Sequence, residues 1–276
     1  MISECALDSL REVIAPYGRI GVAYSGGVDS ATLLAASAEI LGKSNVVAFI
    51  GVSPSLAQRE LKAAEIFADN LGVRLVQIPT NEFDNPDYVA NKGDRCYFCK
   101  DSLFRAISEF DFSQFKLDAI AYGENADDSL KLDRPGQRAA AEWGAIKPLS
   151  AAGLTKSDVR QLARDLKLTL SEKPASPCLS SRIKPLIEVT SHVLAQVETV
   201  EDFLFSLGFT DLRARYLGTS ISIEVPEEEI ALLHTPRIQE LIFAFQATNN
   251  LPTIESSLKP LKSGSFSAFN LESTHV

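Results

Sequence analysis

No stretch of this chain concentrates as much chemistry as Tyr24-Ser25-Gly26-Gly27-Val28-Asp29-Ser30. A short apolar run, Ile20 to Ala23, feeds into it, and an alanine- and leucine-rich segment, Ala31 to Leu41, leaves it. That order reads as strand, tight glycine turn, helix. Adjacent glycines accept backbone angles that a Cβ forbids, so the chain can wrap closely around a ligand. The amides that follow open a helix, where unsatisfied N–H groups and the macrodipole favour an anion. Ser25 and Ser30 add hydroxyl donors. A carboxylate at Asp29 would repel a phosphate, unless Mg²⁺ bridges the two or Asp29 caps its own helix. The pattern lacks the Gly-Lys-Ser/Thr of a Walker A loop and the spacing of a G-x-G-x-x-G dinucleotide turn.

Three further groups have suggestive spacing. Cys96 and Cys99 form a Cys-x-x-Cys pair, and Cys178 lies far along the chain among prolines and serines. Such a pair alone is compatible with a redox disulfide, half a zinc site or part of an iron–sulfur site. With three cysteines around a [4Fe-4S] cluster, one iron stays open for a substrate or an extra sulfide. Arg213 and Arg215, two apart on an expected strand, project from one face, and paired guanidinium forks suit a phosphate or two carboxylates. Ser222 and Glu224 would share that face across the hairpin, and exposed ion pairs there are the plain alternative. Gly123-Glu124-Asn125-Ala126-Asp127-Asp128 ends another expected strand and offers metal or substrate contacts.

The elements that must position these groups follow from periodicity. Residues 2–15 form an amphipathic helix closed by Pro16 and Gly18. Val46 to Val52 is a continuous apolar run, the mark of a strand buried on both faces. Pro54 to Leu71 carries a helical stripe ended by Gly72, and Val73 to Ile78 is a third strand. A polar loop from Thr80 to Asp94 leads into the Cys-x-x-Cys segment, itself placed in a loop, and a helix from Asp101 to Phe110. Leu117 to Tyr122 is a fourth strand, and Ile146 to Leu149 a short last one. Thr155 opens a helix with a capping-box pattern. Strands alternating with helices predict an α/β fold with a doubly wound parallel sheet, whose ligands sit at the strands' carboxyl ends. Prolines 174, 177 and 185 exclude a continuous helix, which puts a domain boundary after residue 185. Residues 186–276 read as a small α+β domain: a helix capped by Thr190, a hairpin over Leu212–Leu217 and Ile221–Val225, then helices after Pro226 and over Arg237–Ala247. From Thr253 onward no element is assigned.

At 276 residues, 45% hydrophobic and 23% charged, the composition is that of an ordinary soluble globular protein. No apolar run is long enough to span a bilayer and no signal-peptide pattern follows Met1, so the expectation is a cytoplasmic protein without a membrane partner. A net charge of −9 argues against a large nucleic-acid footprint. In such a setting cysteines serve catalysis or metal binding rather than disulfides.

Ser-Gly-Gly-Val-Asp-Ser resembles the PP-loop of the ATP pyrophosphatases, which implies that Ser25 to Ser30 grip the ATP pyrophosphate with Mg²⁺ at Asp29. Ala23, Gly51 and Gly123, at strand ends, join the expected ATP contacts, with the adenine near Gly51-Val52. More of the chain is similar to the ATP-dependent sacrificial sulfur transferase (LarE) family. The matching stretches are Ser25–Ser30, Gly123–Asp128, Arg134-Pro135-Gly136, Pro174-Ala175-Ser176-Pro177-Cys178-Leu179-Ser180-Ser181-Arg182 and Arg213-Ala214-Arg215. The resemblance implies adenylation of pyridinium-3,5-biscarboxylic acid mononucleotide and its conversion to thiocarboxylates for the nickel-pincer cofactor. Cys178 matches the family's sulfur-donor cysteine, left as dehydroalanine in single-cysteine members. Cys96, Cys99 and Cys178 match members in which three cysteines hold a [4Fe-4S] cluster that relays sulfide. By the same resemblance Arg213 and Arg215 hold the substrate phosphate, Lys100, Asp128, Arg182 and Glu201 line its site, and the chain assembles as a homo-oligomer, a hexamer.

One departure is visible: the family's Arg-Ser-Gly near the C-terminus is Lys262-Ser263-Gly264 here, and a lysine lacks the bidentate fork. Competing readings are a PP-loop tRNA thiolase, an ammonia-using ligase of the NAD-synthetase kind, and a non-catalytic adenine-nucleotide sensor. The acidic balance counts against the first, the three cysteines are superfluous to the second, and the third would release no pyrophosphate.

Overall fold

The computed structural model describes residues 2–110, 115–130, 135–174 and 176–261. Arg134, Ala175 and Lys262-Ser263-Gly264 lie outside the described residues. The chain divides into two compact units, Met1–Glu82 with Cys96–Ser176, and Phe83–Arg95 with Pro177–Val276.

In the first unit the order is α1 (Ile2–Ile14), β1 (Ile20–Ala23), α2 (Val28–Leu41), β2 (Val46–Val52), α3 (Gln58–Leu71) and β3 (Arg74–Pro79). After an excursion into the second unit, which holds α4 (Pro86–Ala90), come α5 (Arg95–Glu109), β4 (Ala119–Tyr122), α6 (Ala126–Ser129), α7 (Pro135–Glu142), α8 (Pro148–Ala151) and α9 (Lys156–Asp165). The four strands run in the order β3-β2-β1-β4 and every pairing is parallel. This is the expected doubly wound sheet. Its centre is apolar because both faces are covered: Leu10, Leu33, Ala64 and Leu162 pack one face, Phe104, Ile107 and Ala140 the other. The central position of β1 sends the glycine turn out between β2 and β4, at the carboxyl ends of all three.

Three local expectations are corrected. Ile146 makes one bridge to Ala121 in place of a fifth strand, because Pro148 withdraws a donor and opens α8. The helix expected from Asp101 begins at Arg95, so Cys96 and Cys99 ride its first turns instead of a loop. The Thr80–Asp94 loop contains a 3-10 turn, Glu82–Asp84, and then α4, started by Pro86 and capped by Asn85.

The second unit adds a 3-10 turn at Leu179–Arg182, then α10 (Ser191–Ser206), β5 (Arg213–Tyr216), β6 (Ser220–Glu224), α11 (Ile230–Leu233), α12 (Pro236–Thr248) and β7 (Thr253–Ser256). β5 and β6 form the expected hairpin, with Arg213 opposite Glu224 and Arg215 opposite Ser222. β7, unassigned from sequence, pairs in parallel with β6. A linear division after residue 185 misses the segment Phe83–Arg95, which hydrogen bonds sew to the second unit. Asn91 Nδ2 donates to the carbonyls of Lys184 and Ile187 at 3.0 and 3.1 Å, and the Val189 amide donates to Val89 at 2.9 Å.

Candidate functional site

The glycine turn is built as the sequence requires. Gly26 has φ of 73°, a region L side chains avoid, and Gly27 is the N-cap of α2. Ser30 Oγ donates to the Gly27 carbonyl at 3.1 Å and lies 3.1 Å from Ser25 Oγ, while the Ser25 amide donates to Ser30 Oγ at 3.2 Å. These bonds curl the loop around its own two serines and leave Ser25 and Gly27 at the surface. Asp29 does not cap α2: Gly27 holds that position without a side-chain bond. Its carboxylate instead receives both bonds of an ion pair from Lys156 Nζ, at 2.8 and 2.7 Å.

Lys156 was not among the expected site residues. It is the first residue of α9, whose N-terminus is fixed by a complete capping box between Thr155 and Asp158 and by the Lys156 amide donating to Asp127 at 2.8 Å. The capping pattern is legible in sequence, but the ammonium's return to a carboxylate 127 residues upstream is not. Lys173 is the second unexpected cation, 3.3 Å from the Gly26 carbonyl and 2.6 Å from Glu60. Burial, and after it the charge of Glu60, pushes the Tyr24 hydroxyl well above its usual range.

At the end of β4, Gly123 lies against the first turn of α2. A Cβ there would meet the Ser30 amide nitrogen at 2.6 Å and Ser30 Cα at 2.8 Å. Glu124 is buried and accepts from Tyr122 Oη at 2.5 Å, Ser129 Oγ at 2.6 Å and Lys147 Nζ at 2.9 Å. Burial pushes its carboxyl up, yet these three bonds together with the Lys147 charge outweigh burial and leave it below the usual range. Asp128 sits in the first turn of α6, which Asn125 caps. Lys100 Nζ lies 4.3 Å from the Tyr122 ring centroid, so α5 brings it to the same strand end. Ala23 and Gly51 occupy the carboxyl ends of β1 and β2 as expected.

Cys96 and Cys99 are one turn apart on α5, which Tyr97 and Asp101 tie to Glu142 and Trp143 at 2.6 and 2.8 Å. Cys178 is exposed and belongs to the second unit. None of the four cysteines is in a disulfide, and among the described residues no three His, Cys, Asp or Glu side chains converge closely enough to hold a metal ion.

In the second unit the arginines are not the exposed ion pairs of the plain alternative. Arg213 and Arg215 are buried, pairing with Asp211 at 2.5 Å and Glu224 at 2.7 Å. Arg182 and Glu201 are wholly buried and bonded to each other at 2.9 Å.

An ammonium beside a carboxylate in a glycine-serine loop at a helix N-terminus is equipped to take up a polyphosphate with its cation. The NAD synthase family matches residues 2–91, which contain this loop. Over 216 residues, 77% of this chain and 76% of the relative, the sequence is 34% identical to the pyridinium-3,5-bisthiocarboxylic acid mononucleotide synthase of Lactiplantibacillus plantarum. The chain belongs to the LarE family of PP-loop sulfur transferases. Other members of this similarity group are an uncharacterized Synechocystis sp. protein, 37% identical over 88% of this chain and 90% of its own, and an uncharacterized Methanocaldococcus jannaschii protein, 27% identical over 76% and 79%. For this PP-loop protein the family suggests ATP and Mg²⁺ as ligands. Among the described residues no helix is long and apolar enough to cross a membrane.

Proposed function

We propose that this protein is an ATP-dependent sulfurtransferase that adenylates carboxylates of pyridinium-3,5-biscarboxylic acid mononucleotide and converts them to thiocarboxylates for nickel-pincer cofactor synthesis. The observation that carries the reading is the Asp29–Lys156 pair at the mouth of the Ser25–Ser30 loop. With Mg²⁺ and ATP bound, Asp29 would hold the cation and Lys156 would face the phosphates, so each charge would keep an opposite partner. The loop amides and Ser25 and Ser30 hydroxyls then hold the pyrophosphate while a substrate carboxylate oxygen attacks the α-phosphorus and pyrophosphate leaves. A sulfur nucleophile next attacks the acyl carbon, and AMP departs with its electron pair.

For the sulfur source, Cys96, Cys99 and Cys178 are the residues that would hold a [4Fe-4S] cluster, thiolates being its usual ligands. Bound there, the cluster would supply a transferable sulfide. A second reading is favoured by the exposed thiol of Cys178. In it, Cys178 Sγ itself attacks the acyl-adenylate, then the Cα proton leaves and the Cβ–Sγ bond breaks, giving the thiocarboxylate and dehydroalanine.

Anaerobic protein incubated with Mg²⁺, ATP and the biscarboxylic mononucleotide tests both parts. The expected products are AMP and pyrophosphate, lost in Asp29→Ala; ADP in place of AMP would sink the adenylation. Repeated turnover with an unchanged mass at Cys178 and about four irons per chain identifies the cluster. One turnover per chain with dehydroalanine at position 178 identifies the sacrificial cysteine.

A further inference from the structure

Arg182 and Glu201 are sealed from solvent, at 1% and 0% exposure. Arg182 Nε donates to Glu201 Oε1 at 2.9 Å. Its Nη1 donates to the Pro177 carbonyl, to the Cys178 carbonyl at 3.3 Å and to Ser181 Oγ at 3.0 Å. Ser181 turns back on the same carbonyl, its amide and hydroxyl donating to Cys178 O at 2.9 and 2.7 Å. One backbone oxygen thus gathers three donors while the thiol of that residue stays at the surface. Ser180, beside them, is fixed by Tyr88 Oη at 2.8 Å.

Glu201 ties this turn to a second element. Its Oε1 also accepts the Ala214 amide at 3.1 Å, and Ala214 sits between Arg213 and Arg215 on β5. A buried ion pair is weak evidence for stability, because desolvation offsets its attraction. What this pair does by geometry is join two parts of one unit at a single carboxylate oxygen.

We infer that Arg182 and Glu201 are positioning residues: a buried truss that fixes the backbone of Cys178 relative to the Arg213–Arg215 strand, so that the thiol is offered at a set distance from the arginines. The inference deepens the sulfur-transfer reading and rests on it for its functional half. Its structural half needs neither ATP nor substrate nor cluster.

Two variants separate positioning from stability. Arg182→Lys keeps the charge facing Glu201, but an ammonium cannot span a carboxylate and two carbonyls as the planar fork does. Arg182→Met with Glu201→Gln removes both charges and leaves the Ala214 amide an acceptor. Both are expected to keep a cooperative melt. Amide exchange in the peptide covering residues 177–183 should rise about 10-fold, as loss of a charge-assisted hydrogen bond implies. The single-turnover rate of thiocarboxylate formation should fall roughly 10- to 100-fold with the KM for ATP unchanged, a misplacement effect. Exchange that stays at the unaltered protein's level, or a lysine variant that transfers sulfur normally, overturns the truss. Loss of the cooperative melt in both variants assigns the pair to stability alone and overturns it too. Failure of the unaltered protein to form AMP counts against the sulfur-transfer reading, and the exchange measurement then decides the truss by itself.

Discussion

Gly123→Ala is the perturbation whose consequence can be worked most directly from the structure. The added Cβ would lie 2.6 Å from the Ser30 nitrogen, 2.8 Å from its Cα and 2.9 Å from the Asp29 carbonyl carbon. Non-bonded heavy atoms rest near 3.5–4.0 Å, so the first turn of α2 or the end of β4 must move by roughly 1 Å. All three atoms belong to backbone, and no side chain can swing aside to relieve the overlap. β4 is hydrogen-bonded to β1, and α2 continues from the loop that β1 feeds, so the displacement enters the loop itself. Overpacking of this kind costs about 1–3 kcal/mol. For a domain of this size each kcal/mol lowers Tm by about 2–4 °C, so thermal unfolding should drop by roughly 2–12 °C. A 1 Å displacement at the site should also reduce AMP formation by about 100-fold. Gly27→Ala is the contrast: its Cβ would meet only Ser25 Oγ, at 3.6 Å, and φ there is −83°. The loss of a good N-cap should cost at most about 1 kcal/mol, while the methyl group intrudes where a phosphate would lie, so ATP binding weakens with little change in Tm. A Gly123→Ala protein that melts within a degree of the unaltered one, and forms AMP normally, would refute the close approach.

Two other outcomes follow from buried charges. Arg215→Ala strands the Glu224 carboxylate, whose side chain is 19% exposed beside an arginine at 7%, and should cost about 3–5 kcal/mol in urea unfolding; a cost below about 1 kcal/mol would return the pair to the surface class. Glu124 has a folded-state pKa below its unfolded one, so its contribution to stability is present above the unfolded value and is lost as pH falls through the folded one. The stability advantage of the unaltered protein over Glu124→Gln should therefore be constant above about pH 5.5 and shrink as pH falls below the unfolded value of about 4.3, and a gap that does not change on acidification would contradict the hydrogen-bonded carboxylate.

The parts of the site that sequence made legible are those encoded by local rules. The glycine turn announces itself because φ at Gly26 and the serines at both ends are requirements of adjacent residues. The apolar run Val46–Val52 reads as a doubly buried strand for the same reason. The first turns of the cysteine helix read as loop because Arg95 to Lys100 lacks an apolar stripe: Tyr97 bonds Glu142 at the end of α7 and Asp101 bonds Trp143 just after it, which no local pattern reveals. β7 escaped because its four residues alternate too briefly to separate from a polar tail, and only the edge of β6 makes it a strand. Thr80 to Asp94 reads as a loop because the partners of Val89 and Asn91 within it, Lys184, Ile187 and Val189, lie about a hundred residues away. The burial of Arg213 and Arg215 follows from α10 and from Glu224 and Asp211, none of which alters the alternation that identified the strand.

The two lysines that sequence passed over give the loop its physical character. An isolated lysine has no spacing to betray it, since one long side chain can reach a carboxylate from almost any neighbouring element. Lys156 and Asp29 are 39% and 22% exposed, so their pairing contributes on the order of 1 kcal/mol or less. That weakness suits the task. A deeply buried pair would have to be broken at several kcal/mol before Mg²⁺ could reach Asp29. Under the proposed function, a half-exposed pair would keep the carboxylate oriented and the ammonium beside the loop, yet would give both up to a magnesium–polyphosphate at small cost. Arg182 and Glu201, sealed from solvent and shared with the backbone, are the opposite case: the proposed function asks the first pair to exchange partners, and the inferred truss asks the second to hold them.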